Sequence, residues 1–340
     1  MTSKSLTRKI TVIGNGGWGT ALAILLHKKG YEITLWGADA LYVKYLNEKR
    51  ENVKFLKDIP IPSGIQLTSD ISHKLMDAHL IVSAIPTPYL RSALTRFKGI
   101  FAPEIPIVSV TKGIENETLM RPSEIIKSVL GNQPISLLLG PSHAEEVARG
   151  LPTTIVASSK DPNLARTVQE IFTTDRFRVY TNPDMLGVEL GAAMKNVIAI
   201  ASGICDGLKF GDNSKAALIT RGLAEISRLG IAMGAQKSTF SGLTGLGDLI
   251  TTCISPYGRN RWVGEQIGKG RKLQEILDNM EQIAEGVWTT KSVMAISEKL
   301  HVEMPITREI YNVLFTNKNP LEAVSNLMLR TPKSEMEELV

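Results

Sequence analysis

The stretch Lys9-Ile-Thr-Val-Ile13-Gly14-Asn-Gly16-Gly17-Trp18-Gly19-Thr-Ala-Leu22 decides how this chain is read. Four β-branched residues run straight into glycines spaced G-x-G-x-x-G, and a helical pattern of alanine and leucine follows. In that context the glycines permit a tight turn and a close backbone approach to a pyrophosphate, and the new helix offers its unpaired N–H groups to the phosphates. Gly14, Gly16, Gly17 and Gly19 are therefore candidate dinucleotide contacts, and Trp18 is read either as a lid on the nucleotide or as a packing residue.

Working outward, a second strand, Glu32 to Trp36, closes a strand-helix-strand unit and ends in Gly37-Ala38-Asp39. An acidic residue at this point accepts a ribose 2′-hydroxyl, whereas a basic one favours a 2′-phosphate. Asp39 reads equally as that acceptor or as the N-cap of the next helix. The choice between NAD and NADP stays open, leaning to NAD.

Further β-branched runs at Ile65–Thr68, Leu80–Ile85, Ile107–Val110, Ile135–Leu139, Thr153–Ala157 and Phe177–Tyr180 alternate with helical patterns at Thr20–Lys29, Pro88–Phe97, Ser123–Leu130 and Leu164–Phe172. That alternation predicts an α/β fold, a Rossmann-type doubly wound and largely parallel sheet. After Pro183 the strand pattern stops. Helical stretches follow at Met185–Ile204, Asn213–Met233, Arg259–Lys269, Leu273–Leu277, Thr289–Glu298, Ile306–Phe315 and Pro320–Met328. The expectation is a dinucleotide-binding domain over 1–188, an all-helical C-terminal domain for substrate binding and catalysis over 189–340, and a cleft shared between them.

With 340 residues, 43% hydrophobic and 21% charged, two domains are a better prior than one. A net charge of +5, spread without a dense cationic tract, is a weak signal for nucleic acid and fits a small anionic substrate at least as well, and no nucleic-acid partner is expected. Two cysteines, Cys205 and Cys253, lie in no pairing or metal-ligand spacing, so no metal site is expected and a reducing, cytoplasmic setting is. Residues 1–9 are polar and do not form a signal peptide, and no apolar run reaches a membrane span, so stable membrane insertion is not expected.

Lys195 is the only charged residue between Glu189 and Asp206. A lysine so placed sacrifices hydration, and a desolvated ammonium has a proton affinity suited to acid/base work near neutrality. Four other clusters join it. Val110-Thr-Lys112-Gly113 and Gly140-Pro-Ser142-His143 follow buried strands; Leu243-Thr-Gly-Leu-Gly-Asp248-Leu-Ile-Thr-Thr-Cys253 is a glycine-rich turn carrying one carboxylate; Tyr257-Gly258-Arg259-Asn260-Arg261 sets guanidinium and amide donors at a helix start, a good anion-binding arrangement.

At these residues the chain resembles NAD(P)-dependent glycerol-3-phosphate dehydrogenases of the bacterial type. The resemblance runs over residues 8 to 330 and is carried by Gly14-Asn-Gly-Gly-Trp-Gly-Thr-Ala-Leu, Thr111-Lys-Gly113, Gly140-Pro-Ser142, Val188 to Asn196, Ala216 to Glu225, Gly245-Leu-Gly-Asp248-Leu and Arg259-Asn-Arg. It implies interconversion of sn-glycerol 3-phosphate and dihydroxyacetone phosphate with a nicotinamide dinucleotide, supplying phospholipid synthesis, in a homodimer. It also implies a proton acceptor at Lys195, with Asp248 and Lys112 as catalytic partners. Gly140, Ser142, Gly258, Arg259 and Asn260 then line the substrate pocket with those three. Lys112, Ala144, Arg259, Val287 or nearby Ile283, and Glu285 touch the nucleotide. The chain departs from the family pattern at Gly258, where a serine is common, and at Ala38, where His or Arg is common; the latter weakens an NADP preference.

Each residue has a bland alternative: a snorkelling surface lysine for Lys195, a helix cap for Asp248, a surface ion pair for Arg259. Arg221 and Glu225, four apart on a helix, are expected to pair structurally. Two other functions share the general pattern. A ketopantoate-type reductase has a Rossmann half, a helical half and a lysine without an Arg-Asn phosphate clamp, and a nucleotide sensor keeps the glycines without needing Lys195 or Asp248.

Overall fold

The computed structural model describes residues 8–71, 77–332 and 334–335, so the polar N-terminal residues 1–7 lie outside it. The chain divides into two compact units, Met1–Thr111 with Pro122–Pro183, and Lys112–Arg121 with Asp184–Val340. The second unit is therefore assembled from two separate pieces of sequence.

The first unit runs β1 (Lys9–Ile13), α1 (Gly17–Lys28), β2 (Glu32–Trp36), α2 (Ala40–Lys49), β3 (Glu51–Asn52), β4 (Leu56–Pro60), β5 (Gln66–Thr68), β6 (Leu80–Ser83), α3 (Thr87–Thr95), β7 (Ile107–Ser109), α4 (Pro122–Leu130), β8 (Ile135–Leu139), α5 (Ala144–Ala148), β9 (Thr153–Ser159), α6 (Pro162–Phe172) and β10 (Phe177–Asn182). Its main sheet has the order β10-β9-β8-β7-β6-β1-β2-β5. The strands pair in parallel except at β8 and β9, so the last two oppose the rest. Strands covered on both faces need continuous apolar runs, and Leu80-Ile-Val-Ser83 is buried at every position. The strand order reverses direction between β1 and β6, which is where open α/β sheets take their ligands.

The second unit contains α7 (Met185–Gly207), α8 (Gly211–Ala232), α9 (Lys237–Phe240), a π-helical turn at Leu243–Gly247, α10 (Asp248–Ile254), α11 (Arg259–Gly268), α12 (Leu273–Asp278), α13 (Glu285–Leu300), α14 (Pro305–Phe315) and α15 (Pro320–Met328). Helix α7 has the length and composition of a membrane span, yet the qualifying window is wholly buried inside the protein. It is the axis of this unit's core. Its start is tied down by Asp184, whose carboxylate accepts from Gly187 N and Gln236 N at 2.9 Å each and from Thr239 Oγ1 at 2.7 Å.

Helix α11 lies against α7 with almost nothing between the backbones. A Cβ at Gly203 would overlap the Arg261 carbonyl oxygen, and one at Gly264 would overlap that of Ile200. Small residues let two helices approach this closely. Gly264→Ala is accordingly expected to force the pair apart and lower stability by about 3 kcal/mol, the upper part of the overpacking range, as read by urea unfolding. A loss below about 0.5 kcal/mol would show that the helices can slide instead.

Glu225 has a role beyond the expected pairing on its own helix. Its buried carboxylate caps the start of α14, accepting from Ile306 N and Thr307 N at 2.8 Å each and from Thr307 Oγ1 at 2.6 Å. Burial still pushes its pKa upward against those three donors.

Candidate active site

In the first unit, β1 ends at the phosphate turn. Gly14 N donates to Trp36 O at 2.9 Å and Ala84 N to Ile13 O at 2.8 Å, which binds the turn to the ends of β2 and β6. Gly14 has φ +113°, and a Cβ there would stand 2.6 Å from Ala84 O. Gly16 is different: a Cβ on it would meet nothing within 4 Å. The turn at Gly16, at the N-terminus of α1, is thus an open cradle, and the residues present fit a dinucleotide pyrophosphate. Gly16→Ala is expected to leave thermal stability unchanged while weakening nucleotide binding at least about tenfold by titration, a loss of about 1.4 kcal/mol. Equal binding by the variant would sink the assignment of this cradle to phosphate.

Around the turn, Gly17 lies beside the Ala144 methyl group, which would be 3.6 Å from a Cβ at Gly17. Trp18 packs against the core with its ring 6.5 Å from that of Phe177, so the packing reading of this residue has support in the structure. Asp39 is an N-cap, accepting from Leu41 N and Tyr42 N at 3.0 Å each. Gly140, with φ +144°, takes a hydrogen bond on its carbonyl from Ser142 Oγ at 3.0 Å.

In the second unit, three charged residues meet. Lys195, on α7 and only 4% exposed, places Nζ 3.2 Å from Asp248 Oδ1 and donates to Thr252 Oγ1 at 2.7 Å. Lys112 reaches the other carboxylate oxygen, Nζ to Oδ2 at 2.8 Å. Asp248 is the first residue of α10 and does not cap it. The glycine-rich segment before it is not a loose turn but a π-helical one, seated on α7 at Gly191, where a Cβ would stand 2.6 Å from Thr244 O. That seat brings Asp248 to Lys195.

The electrostatics follow from burial. Desolvation lowers the Lys195 pKa, Asp248 raises it and Lys112 lowers it again, leaving the ammonium near 8. Neighbouring Cys253, in contrast, is driven up to about 12 by its burial and is inert as a nucleophile at neutral pH. Near neutrality the cluster holds two cations and one anion, a net positive site beside a proton carrier. It suits a substrate that is anionic and becomes an alkoxide in the course of reaction.

Arg259 and Asn260 open α11 behind Gly258. Arg259 Nη1 donates to Ile283 O at 3.2 Å, and Asn260 Oδ1 accepts from Gly286 N at 2.9 Å, so Arg259, Ile283 and the start of α13 at Glu285 form one neighbourhood. The Gly258 N–H is taken by Ser255 O at 3.2 Å, so it does not stand in for the missing serine hydroxyl. Thr252 was not foreseen from sequence. Its signal was its position four residues after Asp248 on one helix, which sets both side chains on the same face.

The chain matches a known family along most of its length. Residues 9–165 match the family model described as the NAD-dependent glycerol-3-phosphate dehydrogenase N-terminus, and residues 184–325 match that of the C-terminus. The chain belongs to the NAD-dependent glycerol-3-phosphate dehydrogenase family. A glycerol-3-phosphate dehydrogenase [NAD(P)+] of Prosthecochloris aestuarii is 50% identical over 330 residues, covering 96% of this chain and 99% of its own. The crystal structure of glycerol-3-phosphate dehydrogenase from Coxiella burnetii superposes with a TM-score of 0.92 at 36% identity, over 95% of this chain and 99% of that one. A ketopantoate reductase from Ralstonia eutropha shares the fold, with a TM-score of 0.59 at 13% identity over 93% of this chain and 99% of its own.

Proposed function

We propose that this protein interconverts sn-glycerol 3-phosphate and dihydroxyacetone phosphate with NAD or NADP, and that it supplies glycerol 3-phosphate for phospholipid synthesis in the cytoplasm. The observation that carries the reaction is the buried Lys195, held between Asp248 and Thr252 with its pKa near 8. The bound nicotinamide supplies the hydride acceptor, or in reverse the donor.

Lys195 takes the C2 hydroxyl proton during oxidation and returns it to the developing alkoxide during reduction. Asp248 stabilises the ammonium that forms. Lys112 balances the carboxylate and adds positive charge for the alkoxide and the phosphate. Arg259 and Asn260 hold the phosphate, so binding at the inert end of the substrate is turned into positioning at C2. Gly140, Ser142 and Gly258 complete the substrate contacts; Gly14, Gly16, Gly17, Trp18, Gly19, Lys112, Ala144, Arg259, Ile283 and Glu285 serve the nucleotide. The first compact unit, 1–111 with 122–183, binds the dinucleotide, and the second, 112–121 with 184–340, carries the chemistry. The working form is a homodimer.

The test is turnover of dihydroxyacetone phosphate with NADH and with NADPH across pH. Oxidation needs the neutral amine, so its rate rises through about pH 8 and then levels; reduction needs the ammonium, so its rate falls above the same point. Absence of turnover with both nucleotides would refute the reaction. A pH-independent rate would refute the role of Lys195.

A further inference from the structure

In the first unit, β3 and β4 form a small antiparallel sheet of their own, which the strand-helix-strand plan of a nucleotide half does not call for. It carries Asn52, whose side chain is completely buried. Burying an amide is costly unless its donors and its acceptor find partners, and here they do. Nδ2 donates to the Asn15 carbonyl and to Thr20 Oγ1 at 2.8 Å each, while Oδ1 accepts from the Tyr42 hydroxyl at 2.8 Å. The Tyr42 oxygen in turn accepts from Lys54 N at 3.1 Å. This relay runs in one direction only, because the Lys54 N–H can only donate and the Asn15 carbonyl can only accept. The orientation of the Asn52 amide is therefore fixed by backbone groups at both ends.

The far end of the relay lies inside the phosphate turn. Asn15 and Gly16 are joined by a trans peptide, so a carbonyl drawn toward Asn52 turns the Gly16 N–H the opposite way, away from the hairpin. Thr20 Oγ1 adds a longer contact to the same carbonyl at 3.4 Å. One residue on, a Cβ at Gly17 would stand 2.4 Å from Phe55 O, so the hairpin also lies directly against the first residue of α1. We propose, on the reading of this turn as the nucleotide site, that Asn52 is a positioning residue for the dinucleotide. It locks the Asn15–Gly16 peptide in the orientation that keeps the turn open to a pyrophosphate, and Tyr42 locks Asn52. Glycine accepts either orientation of that peptide, so the lock has to come from outside the turn. A turn already set has no ordering cost to meet when the nucleotide arrives, and the effect belongs to affinity and not to the chemical step.

Two variants of the full chain test this by titration with NADH and with NADPH. Asn52→Asp keeps the shape of the side chain but sets a carboxylate against the Asn15 carbonyl in place of a donor. It is expected to raise the Kd of both nucleotides at least about tenfold and by the same factor, because they share the pyrophosphate. At saturating NADH, kcat and the KM for dihydroxyacetone phosphate should stay within about twofold, since the reacting groups are untouched. Tyr42→Phe leaves the amide and removes its anchor, and a rise of about threefold is expected. Should the aspartate variant not fold, Tyr42→Phe decides by the same measure. Unchanged affinity in either variant, even with lower thermal stability, would overturn the proposal and leave the relay a purely structural one. A loss confined to one nucleotide would also overturn it, by moving the effect to the ribose. If the unaltered protein bound neither nucleotide, the site itself would fall and the lock with it, a result distinct from wild-type binding that the variants retain.

Discussion

Replacing Lys195 by methionine is expected to lower turnover by about 10²- to 10⁴-fold, the range spanned by general acid/base assistance, while nucleotide affinity stays within about twofold, far less than the 1.4 kcal/mol that separates a decade. Methionine fills the volume of the lysine stem inside α7, where every residue around position 195 is buried, so the fold keeps its packing. Asp248 keeps Lys112 at 2.8 Å, so no lone charge is created. A loss of rate therefore reports on the proton carrier itself. Lys195→Arg sharpens the result, since a guanidinium keeps the positive charge but does not release its proton in the working range. If the arginine variant retained near-normal turnover, Lys195 would be an electrostatic group and not a base. If methionine did so, the assignment would fail outright. The readouts are kcat with dihydroxyacetone phosphate and a nucleotide titration.

Asp248→Asn attacks the same cluster from the other side, and its largest effect is expected in stability. The carboxylate is the anion between Lys195 and Lys112, at 3.2 and 2.8 Å. Removing one partner of a buried charge pair leaves its counterpart uncompensated, which typically costs about 3–5 kcal/mol. The pH dependence gives the signature. With Asp248 gone, the interaction that raises the Lys195 pKa is lost, and that pKa falls below its present value near 8. The folded variant then releases a proton that the unfolded chain retains up to the ordinary lysine range, so unfolding takes up protons and stability rises with pH between the two values. The deficit should be full below the folded pKa and shrink steadily above it. Urea unfolding at several pH values measures it. A deficit that is the same at every pH, or no deficit, would show that charge compensation is not what Asp248 contributes. Turnover falls with it, and its pH profile moves to lower pH.

Much of this arrangement was legible in the residues. The β-branched runs and the glycine spacing marked the first unit because local propensity and burial there agree, and Glu32–Trp36 and Ile135–Leu139 were placed to the residue. The short pair β3 and β4 carries no such run, and the reversal of β9 against β8 leaves no trace in a strand buried on both faces. Helix α10 was hidden because Gly245 and Gly247 imitate a turn, whereas here they belong to a π-helical segment seated on α7 at Gly191. The contacts of Asp248 are long-range. Lys112 is 136 residues away in sequence, and only the packing of α7 against the π turn and α10 brings the partners together. Asp39 shows the opposite limit. One residue type serves a cap and a ribose equally well, and the hydrogen bonds to Leu41 and Tyr42 establish the first role without touching the second.

The split make-up of the second unit bears on how this protein can be divided. Residues 112–121 are inserted between β7 and α4, yet they are bound to the helices: Lys112 to Asp248, Arg121 Nη1 to Glu189 at 2.7 Å, and the Ile114 carbonyl to Ser292 Oγ at 3.1 Å. A gene fragment beginning at Asp184 would encode most of the helices and lack three of the residues that tie this unit together. It would not be an exchangeable module. During synthesis, the decapeptide leaves the ribosome before its partners exist, so its capture must wait for helices translated afterwards. Shuffling such genes at residue 184 should therefore succeed only when both parents carry matching 112–121 segments.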